Sequence, residues 1–304
     1  MEEAQRACSM ETLRGGDDRS FYVHPSNKTK QASNLEVERD LIAQGLYPSY
    51  QAEQWDLSQE SPWQYPKRPE KLVFLLKGRD TPLAKLIRCL ESLRQQQDQD
   101  FGIILIDDAS VPGHSWLLNH YLKSLKPRTT LVRRRVRQGY IPNFLLASDL
   151  CIYPDTLIAV LDQDDALMNR HVVSALKQAR SDGADLINGL MYRPNKPMHL
   201  YYADYVNPRS KGGGNTWTHL RAYTKELFDR VPTDEYRIDG EWISDVSDYA
   251  TMLPMAEIAR KPIQLTDRYF LWHERETYSA DRKQAQGQLI QYLLNRHPGH
   301  SRAD

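Results

Sequence analysis

Two short acidic runs stand out by what precedes them. Asp107 and Asp108 follow the apolar run 103–106 (IILI), and Asp162-Gln163-Asp164-Asp165 follows the run 157–161 (LIAVL). Five carboxylates at the ends of two neighbouring apolar runs repel one another unless cations or donor groups offset them. A divalent cation bridging to a phosphate is the economical offset, because Mg²⁺ and Mn²⁺ prefer carboxylate oxygens together with substrate phosphate oxygens. A single Asp in such a place can instead cap the next helix or close an Asx turn. Both readings stay open for Asp107–Asp108, whereas the run 162–165 favours the metal. No closing Glu makes it an EF-hand loop, and no GxxxxGK[ST] or helix-opening GxGxxG is present. The stretch 211–215 (KGGGN) reads as a loop whose backbone approaches a ligand. Cys8, Cys89 and Cys151 are too far apart for a zinc site or a disulfide scaffold.

These carboxylates need a frame. Continuous apolar runs at 72–76, 103–106 and 157–161 predict strands buried on both faces, and 129–132 and 186–190 read as further strands between the helices. Helical spacing of apolar residues predicts helices over 83–93, 116–125, 142–150 and 172–179. The first of these is expected to use Thr81 as N-cap and Pro82 as its first residue. Strands alternating with helices imply βαβ units, a mostly parallel sheet, right-handed crossovers and a ligand at the carboxyl ends of the strands. The segment after the first strand, Lys77-Gly78-Arg79-Asp80, therefore belongs to the same edge as both acidic runs.

Composition narrows the classes further. Among 304 residues, Lys+Arg and Asp+Glu are 40 each, so there is no global basic excess of the kind a nucleic-acid binder carries. No stretch approaches the ~18 apolar residues that cross a membrane, and the polar N-terminus lacks a signal-peptide core. A cytoplasmic protein is the expectation, with peripheral membrane contact left open. Residues 1–70 read as an extension, irregular and polar at first, then rich in aromatics and prolines from 41. Residues 71–280 read as one catalytic domain, with a nucleotide-binding half over 71–190 and an acceptor half over 191–280, and 281–304 as a helical tail. Arg133-Arg134-Arg135-Val136-Arg137 reads as the charged protection of a sheet edge. Contact with a diphosphate, an anionic lipid-linked acceptor or nucleic acid is the alternative.

The motifs in order, IILIDDAS (103–110), GYIPNFLLAS (139–148) and IAVLDQDDAL (158–167), resemble glycosyltransferase family 2 over 71–279, roughly two-thirds of the chain. The resemblance implies a GT-A type Rossmann-like α/β/α sandwich with a mostly parallel central sheet. It implies an enzyme that moves a sugar from a nucleotide-sugar donor, UDP-linked by preference, to a hydroxyl acceptor with inversion. By the match, Asp107 and Asp108 hold base and ribose, with Gly139 and Asn143 on the following turn and helix. Asp162-Gln163-Asp164 matches the DxD motif. Asp164 becomes the leading ligand for Mn²⁺ or Mg²⁺, with Asp162, Asp165 and His273 as further ligands. Lys77, Arg79 and Gln163 join the nucleotide-sugar contacts, and Trp217 and His219 flank donor or acceptor sugar. Asp248, near the start of a helix, takes the place of the catalytic base, with Asp245 and Glu241 as alternates. Two other classes compete: a non-catalytic nucleotide- or glycan-binding relative, and a sugar-phosphate nucleotidyltransferase. The latter lacks its Gly-rich, basic loop after the first strand.

Overall fold

The computed structural model describes residues 65–111, 114, 118, 120–194, 202–210, 217–273 and 278–296. The expectations for 1–64, the 211–215 loop and the end of the chain lie outside these residues, as does part of the helix expected over 116–125.

The apolar runs form the predicted strands. They are β1 (Leu72–Gly78), β2 (Gly102–Asp108), β3 (Thr129–Arg134), β4 (Leu157–Asp162) and β6 (Leu186–Tyr192). Shorter strands complete the chain order: β5 (Ala166–Leu167), β7 (Arg221–Thr224), the hairpin β8 (Arg237–Ile238) and β9 (Glu241–Trp242), and the long β10 (Pro262–Trp272). The helices are α1 (Leu83–Arg94), α2 (Tyr140–Asp149), α3 (Val172–Ser181), α4 (Lys225–Asp229), α5 (Ser247–Ile258) and α6 (Ala280–Asn295). The main sheet runs β3-β2-β1-β4-β7-β6-β10-β5. β3, β2, β1 and β4 pair in parallel, and β6 pairs in parallel with β10. β7 lies antiparallel between β4 and β6, and β5 antiparallel on β10. The sheet is mostly parallel, as expected, with antiparallel β7 inside it and β5 at one edge.

Alternation along the strands splits the core in two. Val73, Leu75, Ile158 and Val160 face α2, α4, α5 and α6. Leu72, Phe74, Leu76, Ala159 and Leu161 face α1 and α3. The sheet is thus the middle of three layers. Phe144 of α2 centres an aromatic group on the first face, with ring centroids of Tyr140, Tyr223, Phe228 and Tyr236 between 5.0 and 5.9 Å away.

Helix α1 begins one residue later than its sequence signals suggest. Pro82 is its N-cap, with no side-chain cap. The Thr81 hydroxyl is taken by Gln163 Oε1 at 3.2 Å instead, because the β4 turn needs an anchor under β1.

Candidate active site

The sheet order reverses direction between β1 and β4: β2 and β3 extend on one side of β1, and β4 opens the other. Ligands of open α/β sheets bind at such a switch, outside the carboxyl ends of the strands. Lys77 of β1 and Asp162 of β4 are cross-strand partners there. Lys77 Nζ lies 2.6 Å from Asp162 Oδ1 and 4.1 Å from the Tyr140 ring centroid. Burial opposes the charge on Lys77, but Asp162 outweighs it and raises its pKa. For Asp162, burial is likewise overridden by Lys77, His219 and Arg221, which hold the carboxyl well below its usual range.

The turn after β4 sorts its side chains. Asp165 N–H closes it on Asp162 O at 3.0 Å. Gln163 is buried, and its amide donates to Ile106 O at 3.0 Å while its oxygen accepts from Thr81. It braces β4 against β2. Asp164 stays partly open, and burial, then Asp162, raise its pKa. Its carbonyl accepts from Arg88 of α1. Asp165 points inward and is 1% exposed. Its Oδ1 is 2.9 Å from His273 Nδ1, at the carboxyl end of β10, and its Oδ2 is 3.8 Å from His219 Nδ1. The two imidazoles stack at 5.4 Å and 10°. Burial raises the Asp165 pKa despite His273. The His273 pKa is also raised, because the bond to Asp165 overcomes burial. The His219 pKa is driven well below its ordinary value, first by burial and then by Arg221. Arg221 Nη2 lies 2.8 Å from His219 Nε2 and 3.4 Å from its Nδ1.

The residues fit a divalent cation. Ligand atoms of Asp162, Asp165 and His219 all lie within 4.8 Å of one another. Asp165 Oδ2 is buried with no hydrogen-bond partner among the described residues. Carboxylates with one imidazole make an oxygen-dominated donor set of the kind Mn²⁺ and Mg²⁺ accept. His219, expected to touch sugar, thus joins the metal group, and His273 backs Asp165 from behind.

The loops after β1 and β2 are locked together. Asp80 N–H donates to the Ser110 hydroxyl, and Val111 N–H to Asp80 Oδ1, each at 2.8 Å. Asp107 is buried and accepts from Ser110 N–H at 3.1 Å. Asp108 accepts from the N–H groups of Gln138 and Gly139 at 2.8 and 2.9 Å. Gly139 has φ +84°, the left-handed region where glycine is at ease, and is the N-cap of α2. Asn143 is buried on α2 and accepts from Arg134 Nε at 3.0 Å. Arg79 is half-exposed beside Asp80.

Some expected residues sit elsewhere. Trp217 is 1% exposed and belongs to the core. Glu241 is exposed on the β8–β9 hairpin. Asp245 is tied to α6 by Gln286, which donates at 3.0 Å, and by Arg282 at 3.7 Å. Asp248 stands half-buried in the first turn of α5. Arg221 was not singled out by sequence reasoning. Its one signal is its place two residues after His219 at the head of a strand.

No curated protein matches the chain. Solved structures share its fold: S. aureus TarS at 16% identity and TM-score 0.53 covers 74% of this chain and 65% of that one. TarS in complex with UDP-GlcNAc, at 14% and 0.52, covers 68% of this chain and 59% of that one. The mannosyltransferase PcManGT from Pyrobaculum calidifontis, in complex with GDP-Man and Mn²⁺, is 12% identical with TM-score 0.54, covering 96% of this chain and 74% of that one. The chain spans less than two thirds of the length of the TarS chains. The sequence model described as "Glycosyl transferase family 2" matches residues 83–237, half of the chain, from the start of α1 through the acidic turn to β7 and the hairpin. A switch-point edge crowded with Asp and His, inside that match, makes the assignment plain: the chain belongs to glycosyl transferase family 2.

Proposed function

We propose that the protein is a metal-dependent inverting glycosyltransferase that passes a sugar from a nucleotide-sugar donor, UDP-linked by preference, to a hydroxyl acceptor. The single observation that carries this is the convergence of Asp162, Asp165, His219, His273 and Lys77 at the switch point of the sheet. UDP-GlcNAc and GDP-Man in the complexes of the fold relatives support the donor class.

In this reading the acceptor oxygen bonds to the anomeric carbon as the bond from that carbon to the diphosphate breaks. The transition state carries oxocarbenium character. Asp248 takes the proton of the attacking hydroxyl; the ties of Asp245 to α6 leave Asp248 the freer base. Asp107 and Asp108, set in the locked loops after β2, receive the nucleoside, and Gly139 lets the backbone approach it. Asp162, Asp164 and Asp165, with His219, would hold Mn²⁺ or Mg²⁺, which supplies Lewis-acid stabilisation of the leaving diphosphate. Lys77 keeps Asp162 ionised and in place. His273 holds Asp165.

Titration calorimetry with UDP-, GDP- and dTDP-sugars, with and without Mn²⁺, tests the reading. Metal-dependent binding of one nucleotide sugar is the expected result. A folded protein that binds none of them in Mn²⁺ sinks it.

A further inference from the structure

Arg221 is a buried cation with work left undone. It is 2% exposed. Nη2 meets His219, while Nε and Nη1 are buried without a hydrogen-bond partner among the described residues. A guanidinium carries five donors and stays charged. Burying it with open donors is costly unless a partner arrives.

Its neighbours leave those two nitrogens without a hydrogen bond. Across the sheet Arg221 lies between Val160 of β4 and Asn188 of β6. Asn188 is already used: its amide donates to Thr218 O at 3.1 Å and its oxygen meets the Tyr205 hydroxyl at 3.0 Å. Of the carboxylates nearby, Asp162 is paired with Lys77, and Asp165 meets His273 through Oδ1. Alternation puts Arg221 on the same face as Tyr223, and so on the face of Asp162 and Lys77, both of which keep some solvent access. Two cations, Lys77 and Arg221, therefore act on Asp162, and only Lys77 pairs with it directly.

We propose that Arg221 is a substrate-binding residue whose free guanidinium edge takes an oxyanion of the donor. This deepens the glycosyl-transfer reading and rests on it. The shared chemistry is a pair of anionic oxygens matching a planar fork. Either the diphosphate or a carboxylate on the transferred sugar presents it.

The test uses the full chain and two variants of it. Binding of UDP, UDP-glucose, UDP-glucuronate and inorganic pyrophosphate is measured calorimetrically in Mn²⁺, with melting temperature as a check on the fold. Arg221→Met removes the charge and keeps the length. It is expected to melt no lower than the parent, since an unsatisfied buried charge is gone, while ligand binding weakens by about 10- to 100-fold. Arg221→Lys is expected to recover part of that loss. Equal loss for UDP, pyrophosphate and both sugars identifies the diphosphate as the source. Loss confined to UDP-glucuronate identifies the sugar carboxylate. Unchanged affinity in Arg221→Met overturns the proposal. So does a lowered melting temperature in both variants with no recovery by Lys, which is the mark of a structural arginine. If the parent chain binds none of the four ligands, the glycosyl-transfer reading itself fails, a different result from a parent that binds and a variant that binds as well.

Discussion

Asp162, Asp164 and Asp165 are neighbours in sequence and yet have three environments. Asp162 is held ionised by Lys77, Asp164 is half-open, and Asp165 is enclosed between two imidazoles. Roles follow from environment as much as from residue type. Asp164→Ala is expected to abolish Mn²⁺-dependent donor binding; unchanged affinity in calorimetry would remove Asp164 from the metal site. Asp248→Asn is expected to leave donor affinity intact while turnover falls by ~10²–10⁴-fold, the usual weight of general base catalysis. Retained turnover would assign the proton to another group. At this scale strand-end position and residue type nominate the acidic run and His273, and the structure brings Asp162, Asp165 and His273 to one edge. The sequence was not readable for Gln163 or Trp217. Both looked like ligand contacts, and both turn inward because the β4 turn and the core offer them partners.

Elements show a similar division. Strands β1, β2, β4 and β6 are legible because burial on both faces leaves only apolar residues in them. Strand β7 is not, being four residues long and beginning with a buried arginine. Neither is two-residue β5. The helices after β7 depend on packing that no local pattern announces. Phe144 fills the space between α2, α4 and β7, and Phe144→Ala is expected to cost ~3–5 kcal/mol of unfolding free energy by denaturant titration. Glu257 of α5, 6% exposed, pairs with Arg209 through both carboxylate oxygens. Arg209 also donates to Leu293 O of α6. Glu257→Gln leaves that guanidinium short of its charge partner and should cost ~3–5 kcal/mol, the scale of breaking a buried pair from one side. A loss below ~1 kcal/mol would show that solvent reaches the pair.

Over the whole molecule the two edges of the sheet are built differently. At the amino edge a cleft of about 540 Å³ is lined by Lys71, Asp100, Asp155, Lys177 and Arg180, far from the acidic turn. Its charges are closed into pairs: Lys71 with Asp155 at 2.8 Å, and Lys177 with Asp98 and Asp100 at 2.9 Å. The hydrogen bond from Lys71 holds the Asp155 carboxyl below its usual range. Its folded pKa thus lies under the unfolded value of about 3.9. The stability it contributes is present above that value and is lost as pH falls through the folded pKa. Lys71→Met should therefore melt lower than the parent at pH 7, with the difference shrinking toward zero as pH approaches 2. A difference that persists in acid would assign the effect to the Lys71 ammonium over the Tyr153 ring. At the carboxyl edge, by contrast, polar atoms are left open beside the pairs, Asp165 Oδ2 and Arg221 Nε and Nη1 among the described residues. The chain reaches that edge from both directions: the parallel strands end there, while antiparallel β7 starts there. The connection from Tyr192, at the end of β6, to Arg221, at the start of β7, leaves and rejoins the sheet at that same edge, and it brings His219 beside Asp162 and Asp165. Any change of its length therefore has to spare the stretch 217–220, or the candidate metal group loses its imidazole.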